Sequence, residues 1–543
     1  MEESVLEKKR LVWVLALFAV VILLLSLRFF QIQILSTTKY TELAASQYQI
    51  LVEGMDSRGK ILDRNGIPLT GGQTQYYYFL PQQNIQEGTD VLLSKVSARK
   101  ISVDSQGGMG YVVYRSQSLD EEVTEQLKEK YGAYIFSSPS RYADNQSASH
   151  LIGYLNGDEN RGVSGLELAY ELLLTPDGSQ VHLWADGRGN ILTGLEPQKE
   201  NGKSFAKGSL VTTLDQGLQL AIEEGLEKRN VEGAVLVSEA SSGEILAWVS
   251  SPTFNPNRVE DYLEQQNDCL VNKGIQGCWA PGSVFKLVVA AAALENQVEL
   301  PEKFRCTGIT TVEGVELGCL SGPEEGHGEV GLKEAMAVSC NGYFAVLGQK
   351  VGHEKILEIA KRLGFGELVF LTEEGNALFA EESIGNLPSK EETGQWDITN
   401  LSIGQGSILA TPVQVHKMMT ILANDGKEVS LYVVEGDQKN VQAEGIQILS
   451  SETTKTLQRL MEAVMTEGSG SAFDWGMPVY GKTGTAEVIQ GQEAYNQCWF
   501  SGYCQWEGHR YVITISVEDG VSGSATAMPI FKEITDYVKE HNL

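Results

Sequence analysis

The chain has 543 residues and a formal net charge of −29, with 71 acidic against 42 basic side chains. That length allows two or three domains and a large core. No basic stripe is visible, which excludes nucleic acid as the expected partner.

The first element is a continuous apolar run over residues 11–27, interrupted only by Ser26. Phe29, Phe30, Ile32, Ile34 and Leu35 extend it if Arg28 snorkels to the interface. Lys8, Lys9 and Arg10 precede it, so residues 1–10 are expected to form a cytoplasmic tail and 11–35 a single-pass membrane anchor, with the bulk of the chain extracytoplasmic. No small-x-small cleavage site follows the run directly, which favours an uncleaved anchor over a signal peptide. The first cysteine is Cys269, so no N-terminal lipid attachment is expected.

Residues 36–208 read as one mixed domain, with strand-like segments at 75–80 and 110–114, no catalytic cluster, and a polar linker at 196–208. From 209 to 543 the patterning is denser. Asp215 caps a helix whose apolar face is Leu218, Ile222 and Leu226. Segments 233–237 and 245–249 form a hairpin through Ser241-Ser242-Gly243. Helices follow, one from Thr411-Pro412 to Asn424-Asp425-Gly426 and one starting near Ser450 with Leu457, Leu460, Met461 and Val464 inward. Strands at 479–483, 497–503 and 511–517 and a helix bearing Ile530, Phe531, Ile534 and Tyr537 close the chain. Strands first, helices in the middle and strands last give an α+β fold whose antiparallel sheet draws on both ends of the domain.

Three strings carry the chemistry: Ser283-Val-Phe-Lys286, Ser339-Cys-Asn341 and Lys482-Thr483-Gly484. Ser-x-x-Lys occurs five times, at Ser36, Ser57, Ser97, Ser204 and Ser283, so that pattern alone decides nothing. Only the last copy follows a Pro281-Gly282 turn and opens an alanine-rich apolar run, 287–294, that reads as a buried helix. Taken alone, Ser283 is equally an ordinary helix cap. Ser-x-Asn and Lys-Thr-Gly each occur once, and Asn341 and Lys482 follow Ser283 by 58 and 199 residues. Lys286 lies one turn after Ser283 on the same helix face, where burial lowers an ammonium pKa enough for it to take a hydroxyl proton. The set supplies a nucleophile, its base, a proton relay and a cationic anchor for a carboxylate, the equipment of a serine acyl-transfer enzyme that needs no histidine.

Seven cysteines leave at least one unpaired. Cys306 and Cys319 flank a small hairpin, residues 308–314, that a disulfide could staple; Cys269 with Cys278 is a weaker pair. Cys498 and Cys504 lie too far apart along one strand to bond each other, and Cys340 is the expected free, buried thiol. No cysteine and histidine spacing resembles a zinc site, so neither metal nor cofactor is expected.

The layout resembles the class B penicillin-binding proteins, monofunctional D,D-transpeptidases that cross-link peptidoglycan. Beyond the three strings, Ser57-Arg58-Gly59-Lys60-Ile61-Leu62-Asp63-Arg64-Asn65-Gly66 is similar to the signature opening the pedestal domain of that class, and Gly162-Val-Ser-Gly165-Leu-Glu167 to a second pedestal element. Leu210 to Asp215 with Gln219, and Gly404-Gln-Gly406 with Thr411, Pro412 and Gln414, fit its transpeptidase domain. The resemblance implies a penicillin-binding and serine β-lactamase-like transpeptidase domain behind a bacterial membrane anchor and a pedestal or dimerisation domain. It implies that Ser283 acylates on the penultimate D-alanine of a stem peptide and that Lys286 takes the hydroxyl proton, with its charge managed by Asn341. Ser339 relays a proton to the leaving amine, and Lys482 polarises Ser339 and draws in the substrate carboxylate. Thr483 and Thr485 hydrogen-bond that carboxylate, Gly484 clears room for a substrate strand, and the backbone N–H groups of Ser283 and Thr485 hold the oxyanion. β-Lactams are then covalent inhibitors, and a polytopic membrane glycosyltransferase is the expected partner. Arg58, Asp63 and Arg64 are expected to be a structural salt-bridge network, with Glu167 likewise structural. A β-lactamase, a β-lactam sensor and a non-enzymatic scaffold are the rival readings. The nearest approach to a lactamase acidic loop is Glu382-Ser-Ile-Gly-Asn386, expected to be an exposed loop.

Overall fold

A computed structural model describes residues 2–35, 49–53, 58–71, 73–101, 111–156, 161–175, 180–184, 198–200, 208–263, 268–312, 314–319, 326–389, 395–436, 445–490 and 493–543. Ser36, Ser57, Gly110, Ser204 and most of the expected 196–208 linker lie outside the described residues, while Gln198–Glu200 within it form a short strand. Helix α1, Glu2–Phe30, contains a span at Val12–Phe30 with mean hydropathy 2.6 and no buried surface, long and apolar enough to cross a membrane. It runs into a π-helical turn, Gln31–Leu35, where the Arg28 guanidinium donates to Gln31 Oε1 at 2.7 Å.

The chain groups into two compact units that interleave in sequence. The first comprises Met1–Ser57, Thr74–Pro139 and Pro176–Phe205. Its four-stranded sheet has the order Arg99–Ile101, Tyr111–Ser116, Gln73–Pro81, Tyr134–Ser140. Side chains alternate across Gln73–Pro81: Tyr78 and Leu80 pack with Leu92, Leu93, Val123 and Leu127 from two covering helices, while Tyr77 and Phe79 stack on Phe136. The second of those helices, Glu121–Tyr131, starts where Asp120 accepts the Val123 N–H at 3.0 Å and stops at Gly132, φ 68°.

The second unit comprises Arg58–Gln73, Ser140–Thr175 and Ala206–Leu543, so parts of the region expected to form one linear domain fold with the later chain. Ile61–Leu62 pairs in parallel with Leu210–Val211. Helix α2, Gln216–Arg229, is capped by Asp215 as expected and buries Leu218, Ile222 and Leu226. Next come β1 (Gly233–Glu239), β2 (Ile245–Ser251) and α3 (Lys286–Glu295), then four short strands: β3 (Phe304–Cys306), β4 (Ile309–Val312), β5 (Val315–Gly318) and β6 (Gly328–Val330). Helices α4 (Asn341–Val351), α5 (Pro412–Ala423) and α6 (Ser451–Thr466) lead to β7 (Val479–Gln490), β8 (Glu493–Trp506), β9 (His509–Val517) and α7 (Met528–His541). The main sheet has the order β2-β1-β9-β8-β7 and is antiparallel throughout, drawn from both ends of the domain. β1 and β2 are buried over all but their last residue because both faces are covered. Residues 286–293 of α3 are wholly buried, as a helix apolar on every side must be. β7 is an edge strand, so its outer backbone groups carry no sheet partner.

The Arg58-to-Gly66 string divides into two local jobs. Arg58 Nε donates to Glu167 Oε2 at 2.6 Å, and Arg141 Nε donates to Glu167 Oε1 at 2.6 Å, with all three side chains buried. Arg58 also pairs with Glu171, and the Tyr142 hydroxyl donates to Glu167 at 3.0 Å. Asp63 is not part of this network, contrary to expectation. Its carboxylate accepts the backbone N–H groups of Asn65 and Ile67 at 2.8 and 2.7 Å, organising a turn. Among the described residues the Arg64 side chain pairs with Glu244, at 3.4 Å and partly exposed, a pair of little energetic weight. The loop 382–386 is exposed at Ile384 and Asn386 as expected, but Glu382 at its start is not. It is buried and accepts the Val369 and Phe370 N–H groups at 2.6 and 3.2 Å, and burial raises its pKa to about 7. With its oxygens engaged by backbone, it is a structural carboxylate.

Candidate active site

The turn carrying Ser283 is built from backbone constraints. Trp279 and Ala410 exchange N–H···O bonds at 3.1 and 2.9 Å, and Gly282 N–H donates to Gly404 O at 2.9 Å. Trp499 on β8 donates through Nε1 to Ala280 O at 3.0 Å. Ser283 lies in a 3-10 turn, Gly282–Phe285, that feeds directly into α3, so the helix proper opens at Lys286 rather than at the serine. The first N–H groups of such a turn have no intrahelical acceptor. Ser283 is half-buried, and among the described residues its hydroxyl has no hydrogen-bond partner.

Lys286 is fully buried. Its Nζ donates to Asn341 Oδ1 at 2.7 Å, to Ser339 O at 2.8 Å and to Ser339 Oγ at 3.1 Å, and it sits 5.6 Å from the Phe344 ring centroid. Burial lowers its pKa to about 7. Ser339 follows the helix Leu332–Ala337 with φ 55°, a left-handed conformation costly for a side chain with a Cβ and typical of functional positions. Asn341 opens α4 and donates through Nδ2 to Gly318 O at 2.8 Å, which fixes the amide orientation. Ser283, Lys286, Ser339 and Asn341 therefore come from a turn, a helix start, a strained corner and a second helix start.

Lys482, Thr483, Gly484 and Thr485 lie on the edge strand β7. Lys482 is fully buried, its Nζ donating to Thr483 O at 3.0 Å, and its pKa falls well below the lysine range from burial and then from the Lys286 charge. Among the described residues it makes no hydrogen bond to Ser339. The lack of a side chain at Gly484 has a local cause: a Cβ there would lie 2.9 Å from Pro281 O and 3.1 Å from Val284 Cγ2. Gly282 meets it from the other side, since a Cβ on it would lie 3.0 Å from Thr485 O and 3.3 Å from Thr485 N. These two glycines let β7 press against the nucleophile turn, and they place the Thr485 backbone beside Ser283. Gly484→Ala is expected to displace the strand and slow acylation on the order of 100-fold, as small misplacements of reacting groups do; an unchanged rate of penicillin acylation in stopped-flow would contradict the packing argument. Thr485 Oγ1 accepts the Gly523 N–H at 3.1 Å, and Thr483 shares a hydrogen bond with Ser469 Oγ at 3.3 Å. Ser469 and Gly523 carried no local signal in the sequence, because each reaches the site only through tertiary packing.

The cysteines depart from expectation. Cys306 and Cys319 flank the β4–β5 hairpin as anticipated but are not joined, with sulfurs 3.5 Å apart. Cys269 and Cys278 are also unbridged, and Cys278 donates to Ser383 Oγ at 3.1 Å. Cys340 is buried, yet it is not isolated: its sulfur lies 3.9 Å from that of Cys319. His327 Nδ1 lies 3.5 Å from Cys306 Sγ. The absence of a zinc-like spacing in the sequence therefore did not keep cysteines and a histidine from clustering in space: the four ligand atoms all fall within 4.8 Å of one another.

The penicillin-binding protein transpeptidase domain matches residues 233–536, and the penicillin-binding protein dimerisation domain matches residues 56–205. The chain belongs to the penicillin-binding protein transpeptidase family, in the class B arrangement of a dimerisation domain followed by a transpeptidase domain. It is thus an acyltransferase of the transpeptidase type, and with α1 at its start it is a membrane-anchored one. It is 28% identical over 569 residues to stage V sporulation protein D of Bacillus subtilis, covering 98% of this chain and 85% of that protein. It is 25% identical over 606 residues to the peptidoglycan D,D-transpeptidase MrdA of Acinetobacter baumannii, covering 99% and 88%. Its fold matches the penicillin-binding protein PBP2 solved in complex with MreC from Helicobacter pylori, at a TM-score of 0.69 and 23% identity, covering 90% of this chain and 98% of that one.

Proposed function

We propose that this chain is a peptidoglycan D,D-transpeptidase that works through an acyl-enzyme on Ser283. The observation that carries the mechanism is Lys286, buried one turn after Ser283, hydrogen-bonded to Ser339 and Asn341, and with a pKa of about 7. A neutral amine there takes the Ser283 proton as Oγ bonds to the carbonyl carbon of the penultimate D-alanine. The backbone N–H groups of Ser283 and Thr485 hold the developing oxyanion. As the C–N bond breaks, the proton passes through Ser339 to the departing D-alanine amine. A second stem-peptide amine then attacks the ester and frees Ser283. Two buried ammonium groups repel, which favours one neutral lysine. A substrate carboxylate beside Lys482, held by Thr483 and Thr485, restores the charge on that residue and leaves Lys286 as the base.

The substrate class is supported by the A. baumannii relative, and a β-lactam, which opens on the same nucleophile, would be trapped on the same serine. Lys8, Lys9 and Arg10, just ahead of the apolar span within α1, support a cytoplasmic N-terminus with the chain beyond the span outside. The anchor supports a polytopic membrane glycosyltransferase as the partner that lays down the strands to be cross-linked. The test is the pH dependence of acylation by a penicillin. Because the depressed pKa leaves the amine protonated below it, the rate should fall about tenfold per pH unit beneath pH ~7 and level off above. A profile flat from pH ~5 to ~8 would remove Lys286 as the base.

A further inference from the structure

We propose that Ser469 is a positioning residue for Thr483: its hydroxyl donates to Thr483 Oγ1 and so aims the Thr483 proton at the substrate carboxylate. This rests on the reading above that Thr483 binds that carboxylate. The two hydroxyl oxygens share one hydrogen bond, at 3.3 Å, and among the described residues neither side chain makes another. The distance leaves the donor open, and the chemistry of the ligand decides it. An ionised carboxylate only accepts, and a threonine hydroxyl has one proton to give. If Thr483 gave that proton to Ser469, its lone pairs would face the incoming anion. With Ser469 as donor, the Thr483 proton is free for the carboxylate, and the two aligned hydroxyls polarise each other.

Ser469 lies in the turn between α6 and β7, and that turn is fixed without its side chain. Glu467 and Gly468 N–H both donate to Ala463 O, at 2.8 and 3.0 Å, and Gly470 N–H donates to Val464 O at 3.0 Å. Ser471 Oγ donates to Gly468 O at 2.8 Å, and the buried Trp475 donates through Nε1 to Gly470 O at 3.1 Å. A Cβ on Gly468 would lie 2.2 Å from Ala337 O, so the turn lies flush against the end of the helix that leads to Ser339. The turn thereby touches both sides of the proposed site, the Ser339 corner through Gly468 and β7 through Ser469.

The strand supplies the other half of the arrangement. Thr483 is buried, and its carbonyl accepts Lys482 Nζ at 3.0 Å, which fixes the backbone there. Thr485 is two residues on and on the same face of β7. Its Oγ1 accepts the Gly523 N–H at 3.1 Å, from a group that can only donate. The Thr485 proton is therefore free by construction, and Ser469 makes Thr483 match it. Two hydroxyls on one strand face then present their protons to a single carboxylate.

The test uses the full-length protein in detergent and compares acylation by a penicillin with acylation by its methyl ester, which carries no charge at that carboxyl. Ser469→Ala should lower the second-order acylation constant for the acid about fivefold, the size of one lost hydrogen bond, and leave that for the ester nearly unchanged. Ser469→Thr, which keeps the hydroxyl, should restore the acid rate. Ser469→Ala combined with Thr483→Val should be no slower than Thr483→Val alone, since both act through one hydroxyl. An equal loss for acid and ester means that the turn has merely shifted, and it overturns the proposal. So does an unchanged acid rate in Ser469→Ala when Thr483→Val is slow. A Thr483→Val variant that reacts with the acid at the full rate overturns the carboxylate reading itself and the proposal with it, so the two failures are distinguishable.

Discussion

Ser283→Ala is expected to abolish covalent labelling by a fluorescent penicillin while leaving the protein folded. Loss of the nucleophile removes the only atom that forms the ester in the proposed mechanism, so no partial activity should remain. The fold should tolerate the change because the Ser283 hydroxyl has no hydrogen-bond partner among the described residues. Lys286 keeps its bonds to Ser339 and Asn341, so no buried charge is exposed by the substitution. A stability change within about 0.5 kcal/mol is expected for such a site. The paired measurement is in-gel fluorescence alongside a thermal unfolding curve. Undiminished labelling of the variant would overturn the assignment of the nucleophile.

Glu167→Ala should have the largest effect on stability. The Glu167 side chain is fully buried and joins two guanidiniums, Arg58 and Arg141, each at 2.6 Å, and also accepts the Tyr142 hydroxyl. Its removal leaves the Arg141 guanidinium without a carboxylate partner among the described residues and Arg58 with Glu171 alone, in a largely dry site. Breaking a buried pair from one side costs about 3–5 kcal/mol, because the remaining charge loses its partner without regaining water. Denaturant unfolding of the variant in detergent should show a loss of that size, and a loss under about 1 kcal/mol would mean that water or a rearrangement relieves the two arginines. Labelling per folded molecule should be unchanged, since Glu167 touches none of the Ser283, Lys286 or Ser339 groups. The two substitutions thus separate chemistry from scaffold.

Much of this was legible in the chain because it is local. The caps at Asp215, Thr411 and Ser450 and the alanine-rich run after Lys286 are written within a turn or two of themselves, and each appears where expected. The three strings proposed to carry the chemistry were also legible, since each is written within four consecutive residues, although their hydrogen bonds to one another span more than fifty. Asp63 and Glu382 misled for the opposite reason. A carboxylate in a string of charges, or in a polar loop, reads as an ion-pair member or as exposed, whereas both accept backbone N–H groups that only the folded turn presents.

By itself, the sequence determined the anchor, the α+β order of elements and the residue types of an acyl-transfer site. Those depend on composition, periodicity and short-range spacing. Only the tertiary structure decided that Gly484 is needed against Pro281, that Lys482 is buried beside Lys286, and that Cys306, Cys319, His327 and Cys340 meet. The physical reason is the same in each case. These contacts join segments brought together by β3–β6 pairing and by β7 pressing on the nucleophile turn, and such closure has no periodic trace in the chain.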